Sequence, residues 1–223
     1  MISYSLLKKL RANPKPLLDN LLKRYRIINV STNPGWSASL IGSGAGNTFT
    51  PYLYLYTGTT ASSSAVLYIL AFGLSTSTLS RHCVDWTKRL EIHFTIARLN
   101  SDPECVARFQ LKESNALGAL AQKGVGIEIA NYALRGEGYG TARGTVDLMT
   151  LTDDRSYEIR IVKDGSVLEF WVNNVLLGKL SGEYVPNVPS TANTYFVASI
   201  NNGPTGGVNG QLFVGNIRII QER

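Results

Sequence analysis

The chain has 223 residues, of which 44% are hydrophobic and only 17% charged, with 21 glycines, a mix that suits one domain of many short strands better than a helical bundle. Its formal charge of +6 is carried by residues 1–26, where Lys8, Lys9, Arg11, Lys15, Lys23, Arg24 and Arg26 face Asp19 alone, while the rest of the chain is neutral. Two cysteines exclude a dense disulfide framework, and two histidines exclude a His-rich metal site.

Residues 1–33 are expected to form a basic amphipathic arm, with one or two short helices over 1–28 broken at Asn13-Pro14-Lys15-Pro16. Leu6, Leu7 and Leu10 make one apolar patch, flanked by Lys8, Lys9 and Arg11. Leu17, Leu18, Leu21 and Leu22 make a second, at helical spacing, with Asp19, Lys23 and Arg24 on the other side. Such an arm packs on its own domain, anchors on a protein partner, or contacts nucleic acid, the last ranking behind a protein partner. Lys8, Lys9 and Arg11 interrupt the first apolar run too early for a secretory signal, and no stretch approaches the roughly 20 apolar residues that span a bilayer.

Asn33-Pro34-Gly35 ends the arm, and residues 34–223 read as the second unit. The segment 42–46, Gly-Ser-Gly-Ala-Gly, lacks the Gly-Lys-Ser/Thr ending of a phosphate loop and is expected to be a turn. Residues 49–56 and 63–72 are predicted strands that pair as a hairpin. Residues 90–99 alternate cleanly, Leu90, Ile92, Phe94 and Ile96 opposing Glu91, His93, Thr95 and Ala97, and are expected to turn at 100–103 into a partner strand over 105–111. Strands at 124–130 and 144–150 flank a glycine-rich stretch, 136–140, that reads as flexible. One disulfide between Cys83 and Cys105 is compatible with the spacing, as are two free, buried thiols.

The stretch 156–180 is the clearest part of the chain. Tyr157, Ile159 and Ile161 alternate with Glu158, Arg160 and Val162, and Leu168, Phe170 and Val172 with Glu169 and Trp171. Asp164-Gly165 and Asn173-Asn174 supply the two tight turns of a three-stranded meander. One face is apolar, and the other carries Arg160, Glu169 and Trp171. Strands at 195–200 and 211–220 close the chain. About twelve strands without βαβ alternation fold most economically as a two-sheet antiparallel sandwich.

The pattern YEIRIVKDGSVLEFWVNNVLLGKL, with the closing FVASINN and GQLFVGNIRII, resembles the concanavalin A-like lectin/glucanase jelly rolls, laminin G-like domains included. Asn174 stands where that family usually has Gly, and Asn also enters the left-handed region. By strand order the resemblance runs from Trp36 to Ile220, and it implies an all-β jelly-roll sandwich. The upstream TPYLYLYTGTTASSSAVLYI looks like the front half of viral structural proteins that use this sandwich. Calcium is the ion that lectins of this family hold, yet Asp153-Asp154 and Asn201-Asn202 do not form an Asp-rich loop, so no metal or other cofactor is expected.

Glycosidases of this fold place their carboxylates in a Glu-x-Asp-x-x-Glu run, which this chain lacks. Glu158 and Glu169 face the same side as Arg160, which would hold both ionised and unfit for general acid work. Arg81-His82-Cys83-Val84-Asp85 gathers a nucleophile, a base and an acid, but side chains adjacent in a strand point apart. Trp171 with Arg160 and Glu169 has the chemistry of a glycan platform; a Trp covered by the arm or by another subunit has the same composition. The sequence therefore leads to a non-enzymatic structural or attachment protein, a virus particle component of capsid or tail, homo-oligomeric and held to an assembly partner by its arm. A carbohydrate-binding lectin-like module is the alternative and a divergent glycoside hydrolase the third reading. The corresponding locations are the virion or, for the alternative, the extracellular space or cell surface.

Overall fold

The computed structural model describes residues 24–30, 36–41, 44–49, 52–73, 83–100, 104–152, 155–205 and 210–223. The alternating segments become fifteen strands in two antiparallel sheets, with a three-residue 3-10 turn at Gly182–Tyr184. One sheet has eight strands. In spatial order these are β13 (Val175–Ser181), β12 (Val167–Val172), β11 (Ser156–Asp164), β6 (Leu90–Asn100), β15 (Gln211–Glu222), β4 (Tyr52–Tyr56) and β3 (Ala45–Phe49), with β1 (Tyr25–Asn29) also on β15. The other has seven: β10 (Arg143–Thr150), β9 (Ala133–Tyr139), β8 (Gly124–Ala130), β7 (Val106–Lys112), β14 (Thr194–Asn201), β5 (Ser64–Phe72) and β2 (Ser37–Ile41). Among the described residues no helix is long and apolar enough to cross a membrane.

The inner faces meet in one core, because every long strand turns one alternating set of apolar side chains inward. Leu90, Ile92, Phe94 and Ile96 are buried as their spacing predicts, as are Tyr157, Ile159, Ile161, Leu168, Phe170 and Val172 of the meander. Phe94 lies 5.5 Å from Phe109 and 6.1 Å from Phe196, ring centre to ring centre, so that aromatic contacts tie the two sheets together. Trp86 is fully buried and its indole N–H donates to Glu113 at 3.3 Å. Both cysteines are free, Cys105 buried and Cys83 half-buried.

The meander forms as expected, with Gly165, Asn173 and Asn174 at positive φ in its turns. Two other expected hairpins do not form. β4 pairs with β3 and β15, β5 pairs with β14 and β2 in the other sheet, and β6 and β7 lie in different sheets. A period of two says which side of a strand is buried but not in which sheet it lies, so sequence neighbours looked like pairs. Residues 45 and 46, expected to turn, belong to β3.

The stretch 136–140 is not flexible either. It ends β9, where Gly136 and Gly138 face the core at the points where the meander presses closest: a Cβ on Gly136 would stand 2.7 Å from the Phe170 ring, and one on Gly138 2.6 Å from Leu168. Glycine is needed here for close approach rather than for mobility. At the other end of the chain, residues 25–28 were expected in a helix and instead start β1, paired Tyr25 to Glu222 through Asn29 to Arg218. The β-branched Ile27-Ile28 pair favours a strand, and Ile28 is buried there. The leucine patches and Lys8, Lys9, Arg11 and Lys23 lie outside the described residues; Arg24 pairs with Glu222 at 3.1 Å in an exposed contact.

Candidate functional site

The outer face of the eight-stranded sheet is built from the polar half of each alternation. Backbone register sets its rows: Trp171 opposes Arg160, Arg160 opposes His93, and His93 opposes Arg218 across four strands. One step along, Glu158 opposes Thr95 and Thr95 opposes Gly215. Between these rows β15 carries a bulge at Asn216, whose φ of 54° is one that Asn tolerates. The extra residue parts β15 from β6, and Gly215 contributes no side chain. The result is a depression of about 280 Å³ walled by His93, Thr95, Glu158, Arg160, Asn174, Asn216 and Arg218.

The three expected glycan-binding residues are neighbours but take unequal places. The Arg160 guanidinium stacks over the Trp171 ring at 4.3 Å, so the aromatic face on that side is occupied by this chain's own cation. Trp171 donates its indole N–H to Glu169 at 3.2 Å, and Lys179 pairs with Glu169 at 2.7 Å. Lys179 chiefly, helped by Trp171 and Arg160 against desolvation, holds the Glu169 carboxyl below its ordinary range. Of the three, only Arg160 lines the depression. Trp171 is the surface that holds Arg160 in place.

The polar groups of the depression are short of partners. Arg160 Nε is buried without a hydrogen-bond acceptor, and neither Arg160 nor Arg218 forms an ion pair among the described residues. Next to it the situation is the reverse. Glu91 is held by Arg89 at 2.8 Å and by His93 at 3.1 Å, and Arg89 also reaches Asp164 at 2.7 Å. The hydrogen bond from His93, with those from Arg89 and the charges of both, lowers the Glu91 carboxyl to about 2 in spite of burial.

The seven-stranded sheet's outer face is also charged, and there every carboxylate is met. Arg108 pairs with Glu128 at 2.7 Å, and Arg143 bridges Glu128 at 3.3 Å and Glu137 at 3.1 Å. Arg135 reaches Asp147 at 2.8 Å, and Gln110 donates to the fully buried Glu137. The sequence reading missed this cluster, because Glu137 sat in a stretch taken for a flexible loop. Its signal was the outward Glu128 in Gly-Val-Gly-Ile-Glu-Ile-Ala, one polar position in an apolar strand. The two carboxylates share the Arg143 guanidinium as acceptors of charge-assisted hydrogen bonds. Nearby, burial foremost lowers the Lys112 amine to about 8, while Ala116 O accepts from it at 2.7 Å.

Other sequence candidates do not assemble. Arg81, His82, Asp153 and Asp154 lie outside the described residues, and Asp85 accepts from the Thr87 hydroxyl at 2.6 Å. Asn202 is buried and donates to Gly58 O and Thr60 O, a structural role. No group of three His, Cys, Asp or Glu suited to a metal occurs among the described residues. A second depression, of about 360 Å³, lies between Arg26, Cys83, Asp85, Lys88 and Arg223.

With two antiparallel sheets, this strand order and an open outer face in view, the chain has the concanavalin A-like jelly-roll fold. It superposes on the carbohydrate recognition domain of Emp47p with a TM-score of 0.58 at 10% identity, covering 90% of this chain and 97% of that one. The CBM2 module of the evolved Dit of Lactobacillus casei BL23 phage J-1 gives 0.54 at 13% identity, over 89% and 97%. A Bacillus licheniformis beta-glucanase gives 0.52 at 10%, over 90% and 98%. A sialidase is matched at 0.55 and 11% identity, the chain spanning 88% of its own length but only 18% of that protein's. No protein-family model and no curated protein matches the sequence.

Proposed function

We propose that the chain is a non-enzymatic attachment module that binds a glycan in the depression beside Trp171. The observation that carries this reading is the contrast between the two outer faces. One neutralises its carboxylates internally, whereas the other opens a concave site lined by Arg160 and Arg218, neither of which forms an ion pair among the described residues. Donors and acceptors set round a shallow concavity suit a hydroxyl-rich ligand. The likeness to a carbohydrate recognition domain and to a CBM2 module supports it at the level of fold. The test is a glycan array with wild type and Trp171→Ala. Removing the ring releases Arg160 and should lower binding at least about tenfold, with an unchanged far-ultraviolet spectrum. Absence of binding by the wild type to every glycan would sink the reading.

A second reading, a structural component of a virus particle, is favoured by the phage Dit module among the neighbours and by the basic, leucine-bearing arm. Under it the arm docks on an assembly partner, and the module displays the glycan site outward from a homo-oligomer. Both readings describe the same module if the particle uses it for attachment.

A further inference from the structure

We infer that the ligand of this depression is an acidic glycan, one bearing a carboxylate or a sulfate ester, with its anionic group over the Arg160–His93–Arg218 row. The inference rests on the glycan reading and adds the chemical class. Neighbouring strands are about 4.8 Å apart, so Arg160 and Arg218 start about 10 Å from one another with His93 between them. That separation leaves room for one anionic group between two long guanidinium side chains that both line the depression, Arg160 being held on its far side by the Trp171 ring. Arg218 is exposed and has no carboxylate partner among the described residues, and Arg160 is oriented by the Trp171 ring while its Nε still lacks an acceptor. Guanidinium groups engage carboxylate and sulfate oxygens by paired, charge-assisted bonds, and a pre-oriented one loses less freedom in doing so.

The acidic side chain in the wall fits the same arrangement. Glu158 lies one row away, two residues along β11 from Arg160, or about 7 Å. There, with Thr95 opposite it and Asn174 at the rim, it accepts from and orients sugar hydroxyls rather than meeting the anion. The other nearby carboxylates are already held, Glu91 by Arg89 and His93 and Glu169 by Lys179 and the Trp171 indole N–H, and neither forms an ion pair with Arg160 or Arg218. A neutral sugar would offer the two arginines hydroxyl acceptors but no charge-assisted bond, and a bare polyanion would be repelled by Glu158.

The probes are sialyllactose against lactose, an oligogalacturonide against its carboxyl-reduced counterpart, a heparin-derived sulfated oligosaccharide, and a single-stranded oligothymidylate, each titrated into the full chain. The expected result is at least about tenfold tighter binding of an acidic member than of its neutral counterpart. Arg218→Gln, on an exposed side chain with no ion-pair partner among the described residues, should abolish that preference without moving the thermal midpoint. The carboxylated and sulfated probes tell which anion is taken. Equal binding of acidic and neutral members overturns the inference while the glycan reading stands, and no binding to any sugar overturns both. Oligothymidylate binding as tight as the acidic sugars, or an acid preference that survives Arg218→Gln, also overturns it.

Discussion

At the scale of single residues, the fold depends on places where a side chain would not fit. Gly136 is such a place. The Phe170 ring, fully buried, meets the missing Cβ position of Gly136 at 2.7 Å and is walled in by the core, so it has nowhere to retreat. Gly136→Ala is therefore expected to cost about 1–3 kcal/mol of unfolding free energy, read as a lower urea midpoint with unchanged slope. An unaltered midpoint would mean that the two sheets are less closely packed here than described. Trp171 makes the opposite point, since its value lies in what it holds. It orients Arg160 on one side and bonds Glu169 through its indole N–H. Its place on the polar face beside Arg160 was visible in the sequence; its stacking on Arg160 was not, because stacking depends on the χ angles that neighbouring strands impose.

At the scale of elements, β1 and β15 connect the start of the chain to its end. β15 is bordered along its whole length by β6 on one flank and, on the other, by β4 and then β1. Chains begun at residue 24 and at residue 30 separate the two expected contributions of the N-terminal segment. The first keeps β1 and should unfold at the wild-type temperature, yet should lose any assembly that sedimentation detects if the leucine patches anchor the protein. The second strips the edge from β15 and exposes what Ile28 buries, a loss of about 1.5–3 kcal/mol from that side chain alone. It should melt several degrees lower. Equal melting of both chains would show β1 to be dispensable. The bulge at Asn216 is an element-scale feature of the same strand, and it makes the candidate site by parting two ladders.

At the scale of the whole molecule, charge is distributed so that one outer face pairs its described carboxylates and the other carries a concave polar depression. Acid tests the ion pairs of the open face. Glu91 titrates at about 2 in the folded chain against an ordinary 4.5, so its contribution is complete above about 4.5 and is lost as pH falls from there toward 2. The amount is at most on the order of 3 kcal/mol. Melting temperature should drop between pH 5 and pH 2.5, and Glu91→Gln should flatten that drop; an unchanged slope in the variant would remove Glu91 as a cause. The sequence by itself determined most of the strands, though not β1, β3 or β9, together with the buried side of the clearly alternating ones, the meander with its two turns, and the class of fold, because local alternation and turn chemistry are written in neighbouring residues. It placed Trp171, Arg160 and Glu169 on one face for the same reason. Only the tertiary structure decided that β4 and β5, and β6 and β7, part into different sheets, that 136–140 is a packed strand, and that Arg160, His93 and Arg218 share a row. Those facts rest on pairing between segments up to about 160 residues apart, as Gly215 is from Tyr52, and on a single inserted residue that no periodicity announces.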